Sequence, residues 1–385
     1  MFVYRHATLI TPDKVIENGS LIIGDGRIRA VGGPDLPLPD GAEILDAKGL
    51  VLAPGFIDLQ VNGGFGLDFT ADPAAIWDVA AKLPRYGVTS FLPTIITSPL
   101  ETIHQAQEVL MAGPPPGWSG ARPVGLHIEG PFLNREKKGA HNPDYLRPPS
   151  LSDVEGWSPE SFVRLVTLAP ESPGALDVIA ALAARGVVVS AGHSTASFEA
   201  AAAGFDGGAR YATHLFNAMP ALHHREPGLV AAALADPRVT IGLIPDGLHV
   251  HPALVNLVWQ LLGRERLNLV TDAMAAMGMS PGEYVLGDFQ ITVDETSARL
   301  PNGTLAGCIL SLDAILRSFR LFTGASPAEA VATVTATPAR LLGLDSRLGH
   351  LRPGAVADVV LMTTEGEIVE TLVAGEILYQ RRISS

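Results

Sequence analysis

The chain has 385 residues, 47% hydrophobic and 17% charged, with 27 Lys plus Arg against 40 Asp plus Glu, a formal charge of −13. This is a folded-globule composition; its acidity excludes a general nucleic-acid binder, which needs a basic face, and disfavours adsorption to anionic membranes. A single cysteine, Cys308, excludes an internal disulfide framework and a thiolate zinc cluster, so any metal site must be built from imidazole and carboxylate.

The first fifty residues read as short strands and turns. Residues 2–10 alternate and are rich in β-formers, and ENGSLIIGDGRIRAVGG reads as a strand, a Gly-Asp-Gly turn and a second strand. From Val51 to about Leu342 short apolar runs alternate with alanine-rich helical stretches. The candidate strands are VLAPGFIDLQV, TSFLPTI, PVGLHIEG, VRLVTLAP, VVVSAGHS, ARYATHLF, VTIGLIPDG and LNLVTDA. Helices are expected over 74–86, 100–111, 175–184, 198–203, 229–235 and 252–262. The last forty residues return to strand and turn, as in GAVADVVLMTTEGEIVETLVAGEILYQ. Strands alternating with helices imply a parallel sheet with right-handed crossovers, and eight such units point to a closed TIM-type (β/α)8 barrel. The expected division is a barrel over 53–344 and a small β-sandwich domain built from both termini, 1–52 and 345–385. No stretch reaches the ~18 uninterrupted apolar residues of a membrane span. The N-terminal MFVYRHATLITPDK lacks an apolar core followed by a small-residue cleavage site, so a cytoplasmic protein is expected.

In such a barrel the active site lies at the C-terminal ends of the strands. Those ends are polar here: Asp58, Gln60 and Asn62 after the first strand, His127 and Glu129 after the third, His193 after the fifth and His214 after the sixth. Asp246 and His249 follow the seventh, and Asp272 the eighth. Glu129, His193 and His214 form an N/N/O set suited to Zn²⁺, or to Fe²⁺, Co²⁺ or Mn²⁺, with an open position for water. Each alone is more often a loop residue or a hydrogen-bonded core group than a ligand; their recurrence at the same end of successive strands makes the case for a metal. Asp272 can take a proton from the water and pass it to a leaving group, or simply cap the next helix. His141, Asn217, Ala218, Arg225 and His249 fall in loops after strands, where substrate contacts lie. Arg225 suits an anion bidentately, but a surface pair with Glu226 explains it as well. Lys137 and Lys138 read as a solvated loop, and Cys308 sits in an aliphatic setting that gives no thiolate stabilisation.

PGFIDLQVNGG, HIEGPFLN…KKGAHNP, SAGHS, THLFNAM…REPG, PDGLHV and LVTDAM resemble, in matching order along essentially the whole chain, the N-acetylglucosamine-6-phosphate deacetylases of the amidohydrolase superfamily. PGFID is superfamily-wide, whereas HIEGPF with KKGAHNP and THLFNAM is specific to the deacetylases. The resemblance implies a barrel with a β-sandwich and hydrolysis of the acetamide of N-acetylglucosamine 6-phosphate to glucosamine 6-phosphate and acetate. It implies one divalent metal per subunit, zinc first, held by Glu129, His193 and His214, with Asp272 as proton carrier. It further implies substrate contacts by Ala140, His141, Asn217, Ala218, Arg225 and His249, and an acyl pocket lined by Leu305, Ala306, Gly307 and Cys308. A homodimer is implied, with Arg225 reaching into the neighbouring site. Two departures stand out. Gln60-Val61-Asn62 occupies the place of the His-x-His that builds a second metal site in many superfamily members, so the resemblance is to the single-metal branch, with Gln60 still expected to touch the site through the metal water. Cys308 replaces an expected small hydroxyl residue. The same chemistry on an epimeric or other acylated amine, and a non-catalytic barrel, are the rival readings.

Overall fold

The computed structural model describes residues 1–11 and 14–381; the last four residues of the expected terminal domain, 382–385, and residues 12 and 13 lie outside the described residues. Eight parallel strands form the barrel: Phe56–Val61, Val88–Ile96, Leu126–Glu129, Val163–Leu168, Val188–Ala191, Tyr211–Ala212, Thr240–Leu243 and Leu267–Leu269. Each pairs with its neighbour in chain order. Closure comes just beyond the last strand, where Val61 bridges Ala273 in parallel and Asn62 N–H donates to the Ala273 carbonyl at 2.7 Å. The strand walls are aliphatic, and helices such as Leu100–Ala112 turn Ile103, Ala106 and Leu110 inward to cover them.

The termini build a second, mixed sheet of eight strands. Phe2–Ile10, Val15–Gly24, Arg27–Gly32, Glu43–Asp46 and Val51–Pro54 come from the start of the chain, and Val359–Met362, Ile368–Val373 and Glu376–Gln380 from its end. Its own core includes Tyr4, Leu9, Leu21, Ile28, Leu52, Val359 and Leu372. The run VLAPGFIDLQV, expected as one strand, is therefore two. Residues 51–54 pair with the terminal sheet, and residues 56–61 open the barrel. The chain crosses between them at Gly55, where a Cβ would lie 2.2 Å from the Thr89 hydroxyl, so only glycine passes. The buried Asp358 joins the two units: its carbonyl accepts from Gly55 N–H at 2.9 Å, and its carboxylate pairs with Arg122.

Other expectations need correction. The helix expected over 74–86 is three short pieces, Pro73–Ala75, Ile76–Ala80 and Leu83–Tyr86, because Pro84 lacks an N–H and Gly87 adopts φ 79°. The strand read in ARYATHLF shrinks to Tyr211–Ala212, and the eighth strand ends at Leu269, short of Asp272. After the eighth strand lies a three-stranded insert, Gly282–Leu286, Phe289–Val293 and Ala298–Arg299, which the strand–helix alternation does not reveal. Helices Leu312–Thr323, Pro327–Thr333 and Ala336–Leu341 follow it. No helix among the described residues is long and apolar enough to cross a membrane.

Candidate active site

The strand ends deliver their polar residues to one mouth. His193, His214 and Asp272 have φ of 47°, 27° and 52°. This left-handed region is sparsely used by non-glycine residues, and it marks positions the surrounding fold over-determines. At Asp272 the partners are visible: its carbonyl accepts Cys308 N–H at 2.9 Å, and a Cβ on Gly307 (φ 75°) would approach that carbonyl to 2.8 Å. Gly307 thus lets the loop after the insert pack flat against Asp272.

Glu129 Oε1, His193 Nε2 and His214 Nε2 converge. The separations are 3.1 Å from Glu129 to His214, 3.3 Å from Glu129 to His193, and 3.0 Å between the two imidazoles. His193 Nδ1–H donates to the Lys137 carbonyl at 2.8 Å, so its Nε2 carries a lone pair. Three lone-pair atoms this close repel unless a cation or proton lies among them. Ligands at tetrahedral Zn–N and Zn–O distances stand about 3.3 Å apart, close to the spacing here. The cluster therefore fits a metal ion. Burial alone would raise the Glu129 carboxyl, but hydrogen bonds and charge from His193 and His214 hold it well below the usual range.

Gln60 and Asn62 supply what the sequence leaves unassigned. Gln60 Oε1 accepts from Thr213 Oγ1–H at 2.9 Å, which turns its Nε2 to donate to Glu129 Oε1 at 3.1 Å and Asp272 Oδ1 at 3.0 Å. Asn62 Nδ2 donates to the same Asp272 Oδ1 at 2.7 Å. Both amides grip one oxygen and leave Oδ2 for chemistry. Burial, then the Glu129 charge, lifts the Asp272 carboxyl to about 6. Asp58 lies below, fully enclosed, bonded to Thr271 Oγ1 at 2.7 Å and lifted to about 7 by burial. His127, in the barrel interior, contacts Thr167 at 2.8 Å and is pushed down to about 4 by burial, a packed neutral group and not a member of the donor cluster.

His141 is buried, and its Nδ1 receives the Thr97 backbone N–H at 3.3 Å, which leaves the proton on Nε2, 3.9 Å from Glu129 Oε2. Burial and the neighbouring His193 push it down to about 3, so the ring is a neutral donor. His249 Nδ1 bonds Asp246 Oδ2 at 2.6 Å, with both side chains buried; burial opposes ionisation of Asp246, but this bond and the His249 charge hold its carboxyl low.

Glu129, His193, His214 and Asp272, with Asn62, line the floor of one cavity of about 580 Å³. Ala140, His141, Asn217, Ala218, His249, Leu305 and Gly307 also line it. Ala306 is fully buried beneath the wall, and Cys308 is buried too, its thiol raised well above the usual range by burial. Arg225 is exposed and outside the cavity of its own chain, its Nη1 2.9 Å from His224 Nε2. Lys137 and Lys138, read as solvated, are half-buried in the cavity wall because their loop folds back across the mouth. Arg299 and Asn302, from the insert, are not expected there from the sequence. The only signal for them is their position after the eighth strand.

The sequence pattern of the Amidohydrolase family matches residues 51–378. The chain belongs to the amidohydrolase family. This amidohydrolase is 38% identical over 378 residues to the N-acetylgalactosamine-6-phosphate deacetylase of Escherichia coli O157:H7, covering 97% of this chain and 98% of that one. It is 40% identical over 351 residues to the N-acetylglucosamine-6-phosphate deacetylase of Bos taurus, covering 87% and 85%. Its structure is similar to a Mycobacterium smegmatis N-acetyl-D-glucosamine-6-phosphate deacetylase, solved as a mutant in complex with N-acetyl-D-glucosamine-6-phosphate. There the TM-score is 0.88 and the identity 34%, over 98% of this chain and 99% of that one. The similarity extends over both the barrel and the terminal sheet, and this amidohydrolase is a hydrolase of the deacetylase type.

Proposed function

We propose that this amidohydrolase hydrolyses the acetamide of N-acetylglucosamine 6-phosphate to glucosamine 6-phosphate and acetate. The observation that carries the reading is the Glu129, His193 and His214 donor cluster with Asp272 gripped beside it in one cavity. The names of its relatives support the substrate class.

Glu129, His193 and His214 would hold one divalent ion per subunit, zinc before iron, cobalt or manganese, and when bound it would polarise the acetyl carbonyl and acidify a water. Gln60 and Asn62 hold Asp272 Oδ1, so Oδ2 takes the proton of the attacking water. A C–O bond forms at the acetyl carbon as negative charge develops on the carbonyl oxygen, and the His141 Nε2–H donates to it. Asp272 then returns the proton to the amine nitrogen as the C–N bond breaks. Gln60 donates to Glu129 and Asp272 where a second metal would need a ligand, which supports a single-metal site. We further propose a homodimer in which Arg225 serves the neighbouring cavity, and a cytoplasmic setting, since a phosphorylated sugar does not cross a bilayer unaided.

Purified enzyme of measured metal content is offered N-acetylglucosamine 6-phosphate, its galactosamine epimer and unphosphorylated N-acetylglucosamine, and acetate is assayed. Release from N-acetylglucosamine 6-phosphate in preference to both others is expected. Preference for the galactosamine epimer transfers the reading to that sugar, and no release from either phosphorylated sugar removes it. His249 supplies a second result. Asp246→Asn keeps the shape but replaces one acceptor oxygen with a donor, so the Nδ1–H of His249 loses its charged partner. A drop in kcat/KM of about tenfold or more is expected, the scale of a lost charge-assisted hydrogen bond. Unchanged kinetics would show that Asp246 only shapes the loop.

A further inference from the structure

Among the described residues, every barrel strand but the fourth sends a residue from its end, or from the loop after it, to the cavity lining. The acid that follows the fourth strand, Glu171, has no part in the reaction above. It bonds the chain around His193 instead. Its Oε2 accepts from Ser194 Oγ–H at 2.7 Å, and its Oε1 accepts from the Thr195 backbone N–H at 2.6 Å and from Thr195 Oγ1–H at 3.2 Å. These two residues directly follow the left-handed turn at His193, φ 47°.

The same Oε1 accepts from Asn134 Nδ2 at 2.9 Å, and Asn134 reaches His193 by two routes. Its backbone N–H donates to the His193 carbonyl at 2.9 Å. Its Oδ1 accepts the Glu136 N–H and its carbonyl the Lys137 N–H, both at 2.9 Å, which folds the turn Arg135–Lys137. That turn presents the Lys137 carbonyl to His193 Nδ1–H at 2.8 Å. One carboxylate therefore ties down both the backbone that carries His193 and the carbonyl that fixes its tautomer. An acceptor on the far ring nitrogen orients a ligating imidazole and raises its basicity. Glu171 acts one step further out, by fixing that acceptor.

We propose that Glu171 is a positioning residue that aims His193 Nε2 at the Glu129 and His214 donors and so sets the metal affinity of the site. This rests on the metal-binding reading above. The fourth strand then serves the site from outside the cavity, as the anchor that joins the loops after the third and fifth strands.

In the test, full-length wild type, Glu171→Ala, Glu171→Gln and Asn134→Ala are equilibrated with Zn²⁺ against a competing chelator, and bound zinc is measured by elemental analysis. Glu171→Ala is expected to bind zinc about ten- to hundredfold more weakly, the scale of a lost partner behind a metal ligand. Glu171→Gln keeps an acceptor oxygen for Thr195 and Asn134 and should recover part of that loss. Asn134→Ala leaves Glu171 on Ser194 and Thr195 and cuts only the arm to the Lys137 turn. It should also weaken zinc, and the double variant should lose less than the two single losses combined, because both act through one network. Wild-type zinc affinity in the folded variants overturns the assignment, even where they unfold at lower temperature, because a residue that only braces the loops has no reason to act on the metal. If Glu171→Ala does not fold, Asn134→Ala decides in the same way. The ring-nitrogen chemical shifts of His193 in the protein as purified give a readout independent of zinc affinity. A single Nδ1–H tautomer is expected in wild type and mixed tautomers in Glu171→Ala; identical ring signals in the two overturn the assignment. If wild type binds no zinc, the metal reading fails, while the ring signals still decide the role of Glu171.

Discussion

Asp272→Asn is expected to lower acetate release about a thousandfold or more while the metal content stays at the wild-type level. The carboxylate contributes no atom to the Glu129, His193 and His214 cluster, so the metal should not depend on it. Its proposed contribution is the proton. An amide cannot take one from water at neutral pH, and general acid–base catalysis by a positioned group is worth about 10²–10⁴ in rate for a single transfer. In the proposed reaction Asp272 serves both halves, which puts the expected loss at the upper end. Gln60 and Asn62 sharpen the comparison, because both donate to Oδ1, and an asparagine must either turn its oxygen to them or lose both bonds. The pH profile of the wild type gives the same residue a second readout. Burial and the Glu129 charge raise the Asp272 carboxyl to about 6, and it works as a base only when ionised. Activity should therefore be present above about pH 6 and disappear as the pH falls through that value, with a positive metal charge drawing the limb lower. Near-normal turnover in Asp272→Asn would transfer the proton to another group, and loss of metal in the variant would make Asp272 a ligand.

Glu129→Gln is expected to empty the metal site and remove activity with it. The substitution keeps the shape of the side chain and removes the only negative charge in the donor cluster. The carboxylate is held in its ionised form by two imidazoles at 3.1 and 3.3 Å, so its electrons already face the point where a cation would sit. Replacing even an outer-shell partner of a metal ligand costs 10–100-fold in affinity. Loss of one of only three ligands should cost at least about a hundredfold, enough to leave the purified variant nearly metal-free by elemental analysis. Chelation of the wild type should reproduce the loss, and added Zn²⁺ should restore activity to the wild type but not to Glu129→Gln. Stoichiometric metal retained in Glu129→Gln would exclude this donor set. A protein still folded by circular dichroism is part of the expectation, since glutamine keeps the side chain's shape and an oxygen that can accept from Gln60 Nε2.

Most of the barrel and of the polar floor of its cavity is legible in the amino-acid sequence, for a local reason. A barrel strand buries both faces in aliphatic side chains, so a charged or imidazole side chain at its end contrasts sharply with the run before it. Glu129, His193, His214 and Asp272 stand out in that way, and the order of HIEGPF, SAGHS, THLFNAM and LVTDAM along the chain adds the family resemblance. Where the sequence misleads, the cause is local too. An apolar run does not say which sheet it joins, so 51–61 reads as one strand although Gly55 divides it between two.

What only the tertiary structure decided is which long-range neighbours these residues meet. Gln60, a strand-end amide, became a positioning group because Thr213, far away in the chain, fixes its oxygen and so aims its nitrogen at Glu129 and Asp272. Lys137, Lys138 and Arg299 entered the cavity because a loop and an insert fold over the mouth from opposite sides; Arg225 stayed outside it. The sequence by itself determined the alternation of strand and helix, the residues able to bind a metal and carry a proton, and their arrival at one end of a barrel. Those properties depend on side-chain chemistry and on spacing within a single strand–helix unit. The orientation of an amide, the charge state of a buried carboxyl and the path of a loop depend on contacts between units, and these exist only once the barrel has closed.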